Sequence, residues 1–118
     1  MRKPIYMSNA ELKKMFLTLN ERFFNDRLDK NTKVHFVDDL QDEETGTELN
    51  GSQEGDEICL DSSLKIIGAD VIQIFLLHEM KHADLPEYVG SVEDNDHGML
   101  FQAKTVELFN KGAYDGLL

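Results

Sequence analysis

The run His78-Glu79-Met80-Lys81-His82 places two imidazoles and a carboxylate at a spacing that can serve a metal ion. On an α-helix, positions i and i+4 lie one turn apart on the same face. His78 and His82 can therefore aim at one ion. Glu79 projects beside them, able to reach a water on that ion but poorly placed to ligate it. This is the HExxH arrangement of zinc hydrolases. The motif is short, and on an ordinary solvated helix it would be two surface histidines and a surface glutamate. The preceding run, residues 69–77, argues against that. It contains no Gly or Pro and is apolar on nearly every side, which predicts a buried helix with the motif at its end.

A catalytic zinc keeps three protein ligands and one open position. The third ligand must come from beyond the motif helix. Glu93, Asp94, Asp96 and the more distant Glu107 can all donate. His97 is the preferred candidate, because it opens the next helical segment and Gly98 beside it allows close backbone approach. The metzincin pattern HExxHxxGxxH is excluded, since Leu85 and Tyr88 occupy its Gly and third His positions. With zinc in place, a bound water is acidified towards a pKa of about 7 and a substrate carbonyl is polarised. Glu79 would take the water proton and deliver it to the leaving amine. Tyr88 and Tyr114 are both candidates to hold the oxyanion.

These residues need elements to position them. Ser8-Asn9-Ala10-Glu11 is a capping box that starts a helix. Leu12, Met15, Phe16, Leu19 and Phe23 then recur at helical spacing as its core face, with Lys14, Thr18 and Arg22 opposite. That helix should fade near Asn25-Asp26. Residues 33–37 have strand character, and the lone His35 within them reads as a core or rim residue. Residues 38–44 form an acidic loop. Residues 45–49 read as a weak strand followed by an Asn50-Gly51 turn. Residues 57–60 read as a better strand that includes Cys59, a buried small residue, and the glycines before it suggest a hairpin. Asp61-Ser62-Ser63 can start a short helical turn. Gly68-Ala69-Asp70 opens the motif helix, with Asp70 at the positive end of its dipole. The helix must stop soon after Ala83, because Pro86 disfavours helix at Leu85. A polar loop, residues 87–96, leads to a closing helix over residues 99–110, which Gly112 can terminate.

Length and composition fit one domain over residues 1–118, and 41% hydrophobic residues suffice for one modest core. The single cysteine excludes an intrachain disulfide. The basic amino terminus has no apolar stretch behind it, as a signal peptide would, and no run approaches the roughly 20 apolar residues of a membrane span. The expected location is the cytoplasm, with no membrane partner. The net charge is −11. Residues 1–33 hold eight bases and four acids, and residues 34–118 hold four bases and nineteen acids. That balance disfavours nucleic acid, leaving Lys13, Lys14, Arg22 and Arg27 as the candidate contacts to DNA.

Several pieces together resemble the SprT-like family of zinc metalloproteases, to which the Spartan proteases also belong. Leu19-Asn20, Phe23-Phe24 and Leu28 resemble the family's first-helix pattern. Residues 58–61 resemble the strand before its motif helix. Leu76-Leu77-His78-Glu79-Met80-Lys81-His82-Ala83 is similar to its LLHEMxHA run, and Asp96-His97-Gly98 with Phe101 to its HGxxF motif. The resemblance implies zinc held by His78, His82 and His97, with Glu79 as general base. It implies an α+β, zincin-like core: an N-terminal helix, a small, mostly antiparallel sheet, the HExxH helix and a closing C-terminal helix. It also implies an intracellular protease acting on protein substrates, in several members recruited by DNA to DNA-associated proteins. The chain lacks the Cys-rich zinc ribbon of many members and has the size of a minimal, bacterial or phage-borne catalytic core. Two other readings compete with the protease. One is a catalytically silent zinc-binding interaction module of the same fold, against which the intact Glu79 weighs. The other is a small α+β domain in which the motif is coincidental.

Overall fold

The computed structural model describes residues 6–85 and 99–117. Over these the chain is an α+β domain of four helices and one three-stranded sheet. Helix α1, Asn9–Phe23, begins at the expected capping box: the Ser8 hydroxyl accepts from the Glu11 amide and the Glu11 carboxylate accepts from the Ser8 amide, each at 3.1 Å. Leu12, Phe16, Leu19 and Phe23 are buried on one stripe, and Lys14, Thr18 and Arg22 are exposed. Left-handed backbone at Asn25 and Asp26 (φ 53° and 57°) then turns the chain away.

Asn20 is fully buried, although it lies within α1. Its side-chain amide donates to the Leu28 carbonyl at 3.0 Å, and its carbonyl accepts from the Leu28 amide at 3.1 Å. Both polar ends are satisfied, so the side chain staples the reversing loop to the helix.

Strands β1 (Lys33–Val37), β2 (Gly51–Glu54) and β3 (Glu57–Asp61) form a sheet of order β1-β3-β2. β3 is central, antiparallel to β2 and parallel to β1. The sheet is thus mixed, not mostly antiparallel as expected. The cause is the connection over residues 38–50, which carries the chain past the central position to the far edge before the β2–β3 hairpin returns. The expected strand at residues 45–49 reduces to a single bridge between Gln41 and Glu48. Asn50-Gly51 is no turn: Gly51 opens β2, and the hairpin turns at Gly55 (φ 54°).

Val34, Ile58 and Leu60 join the core, with Phe36 packed against it. Short α2 (Leu64–Ile67) leads through Gly68 into α3 (Ala69–Asp84), which buries Ile72, Leu76, Leu77 and Met80. Helix α4 (Met99–Asn110) closes the domain with Phe101 and Leu108 in the interior. Past α4, Gly112 (φ 87°) lets the Ala113 amide reach back to the Leu108 carbonyl at 3.0 Å, which ends the helix as the sequence suggests. No helix among the described residues is long and apolar enough to cross a membrane.

Candidate metal centre

Helix α3 carries His78, Glu79 and His82 in its second half, as the spacing predicts. The two imidazoles are neighbours, with ring centroids 5.0 Å apart and planes at 75°. Phe101 of α4 packs on both, at 5.1 Å from His78 and 4.6 Å from His82. Phe101 is itself 3% exposed, so it forms an apolar wall against the pair.

Glu79 turns towards the sheet. It is 6% exposed and its carboxylate lies against β2: a Cβ at Gly51 would sit 2.9 Å from Glu79 Oε2 and 3.0 Å from a Leu60 methyl. Burial raises the carboxyl to about 7, partly opposed by the charge of Lys81.

Two imidazoles on one helix face, walled by an aromatic ring, are donors of the type zinc takes. The expected third ligand, His97, lies outside the described residues, as do Glu93, Asp94, Asp96 and Tyr88. The described alternative, Glu107, is engaged elsewhere. Its carboxylate pairs with Lys104 at 2.9 Å and Lys111 at 3.1 Å, and these contacts lower its pKa to about 2.

Three positioning features escaped the sequence reading. Lys81 is 5% exposed; its ammonium donates to Thr105 Oγ1 at 3.0 Å and lies over the rings of Phe101 and Tyr114. Burial lowers its pKa. Asp84 ends α3 with its side chain 6% exposed, accepting from Arg27 Nε at 3.1 Å and Nη2 at 2.8 Å and pairing with Lys104 at 2.8 Å. Gly51 gives Glu79 its room. A glycine inside a strand signals close approach, but beside Asn50 it reads as a turn. Lys81 and Asp84 left no such signal.

Beside His78 lies a cleft of about 210 Å³ lined by Ile74, His78, Lys81, Thr105, Phe109 and Tyr114. Of the four candidate DNA contacts, Lys13 donates to the Lys30 and Thr32 carbonyls, Arg27 is exposed but paired with Asp84, and Lys14 and Arg22 are exposed. Comparison of the chain with protein-family models, curated proteins and solved structures finds no match.

Proposed function

We propose that this chain is a zinc-dependent metallopeptidase acting on protein substrates, with a zincin-like, SprT-like core. The observation that carries the reading is the meeting of two separate motif pieces. Phe101, from the HGxxF piece, packs on the two imidazoles of the HEMKH piece, and Glu79 is buried beside them. His78 and His82 would hold the ion, with His97 as third ligand by the resemblance. Zinc supplies Lewis acidity there, acidifying water and polarising the scissile carbonyl.

The chain's own residues do the rest. Glu79 takes the proton of the attacking water and passes it to the departing amine. Gly51 and Leu60 hold the carboxylate in a dry position. The cleft beside His78 offers apolar walls at Ile74 and Phe109 to a substrate side chain, and Tyr114 on its rim is the described candidate for the oxyanion donor. An intact buried carboxylate costs stability, so its presence favours the enzyme over a silent zinc-binding module.

The test pairs metal analysis with activity on an unstructured protein substrate. The His78→Ala/His82→Ala variant is expected to lose one zinc per chain and all cleavage. Glu79→Gln is expected to keep that zinc and lose cleavage by roughly 10²–10⁴-fold. Full activity in Glu79→Gln would refute the assigned base, and zinc without cleavage of any protein would favour the silent module.

A further inference from the structure

The sheet has two faces, and its outer one gathers a second set of donors. Parallel register sets His35 opposite Cys59, and Glu57 lies two residues before Cys59 on the same face. Cys59 Sγ is 3.2 Å from His35 Nε2, and that nitrogen is 3.3 Å from Glu57 Oε2. The three ligand atoms all lie within 4.8 Å of one another, the one such group of three among the described residues.

Cys59 is only 7% exposed, yet it does not belong to the hydrophobic core that takes its neighbours Ile58 and Leu60. On the other face of the sheet His35, Glu57 and Ser52 lie beside its thiol. We propose that His35, Glu57 and Cys59 form a second metal site, which takes a zinc ion through one imidazole, one carboxylate and one thiolate.

The distances favour this. Ligands about 2.0–2.3 Å from a tetrahedral zinc are about 3.3–3.8 Å apart, so the 3.2 and 3.3 Å separations need little adjustment. The donor types favour it too, since thiolate with imidazole selects zinc over magnesium or calcium. Glu57 and Glu54 raise the thiol pKa beyond the effect of burial. Acidic neighbours that oppose a bare thiolate are suited to one bound to a dication. On binding, the thiol proton leaves to solvent and the sulfur lone pair forms the metal bond. The fourth position faces outwards, because the His35 and Glu57 side chains are 36% and 45% exposed. This site shares no residue with the HEMKH helix and stands or falls independently of the peptidase reading.

Cobalt(II) tests it cleanly because Cys59 is the only cysteine. Metal-stripped protein titrated with cobalt should show a near-ultraviolet thiolate-to-cobalt charge-transfer band. The band should persist in His78→Ala/His82→Ala. His35→Ala and Glu57→Gln should weaken the cobalt affinity read from that band by about tenfold or more, at least the loss seen when a mere supporting residue is removed. These two side chains are part-exposed, so the variants serve even if Cys59→Ser fails to fold. Folded protein without the band at millimolar cobalt would overturn the site. So would a band of unchanged affinity in both variants, which would be a lone thiol binding metal.

Discussion

Replacing Glu79 with Gln should stabilise the metal-free protein, and only above mildly acidic pH. The carboxyl titrates at about 7 in the fold, against a usual 4.5, because burial against Gly51 and Leu60 removes its water. Below pH 4.5 it is protonated both folded and unfolded, and the substitution changes little. As the pH rises towards 7, the unfolded chain releases the proton while the folded chain retains it. Each pH unit in that window costs the fold about 1.4 kcal/mol. The cost is complete once the pH passes the folded value, at about 3 kcal/mol. Gln has nearly the same shape and no charge, so it escapes the cost. Urea unfolding of chelator-treated protein at pH 4.5 and pH 8 reads the difference. The variant's midpoint should coincide with the parent's at pH 4.5 and lie roughly 1–3 M higher at pH 8. Equal gains at both pH values would make packing the cause. No gain at pH 8 would show that the carboxyl is not desolvated.

Gly51→Ala sets a methyl 2.9 Å from Glu79 Oε2 and 3.0 Å from a Leu60 methyl; under the proposed peptidase reading kcat/KM should fall about 10–100-fold with zinc content unchanged, and unchanged activity would show that the carboxylate tolerates displacement. Asn20→Ala strands the buried amide and carbonyl of Leu28 and should cost about 2–4 kcal/mol in chemical denaturation; a loss below half of that would mean water replaces the side chain. DNA binding, with Lys13 held by two carbonyls and Arg27 paired with Asp84, is left to Lys14 and Arg22 among the four candidate contacts and should be detectable in gel shifts only at low salt, with a log–log salt slope of about −2; tight binding that persists at physiological salt would overturn the weak-contact expectation.

The helices were readable because their signals are local. Ser8 and Glu11 cap α1, Gly68 precedes α3, and Gly112 stops α4, each through backbone chemistry within a few residues. The pairing of His78 with His82 follows from helical pitch alone. The sheet was less readable because strand order is a long-range property. Nothing near β1 indicates that it pairs with β3 in parallel, or that residues 38–50 bypass the central position. Gly51 was misread for the same reason: its purpose is the Glu79 carboxylate, far along the chain, and an Asn-Gly pair looks the same at a turn. His35 and Cys59 were each read singly, as a rim residue and a buried thiol. Only the parallel register brings them face to face.

The sheet's order also constrains assembly. Among the described residues β1 and β2 make no ladder with each other, and each pairs as a strand with β3. A nascent chain that has emerged only as far as Gly55 therefore has two ribbons and nothing to join them. Residues 57–61 act as a keystone, and until they arrive both ribbons present open edges to other chains. The HEMKH helix follows a few residues later, so it emerges when the surface it needs has only just become able to form.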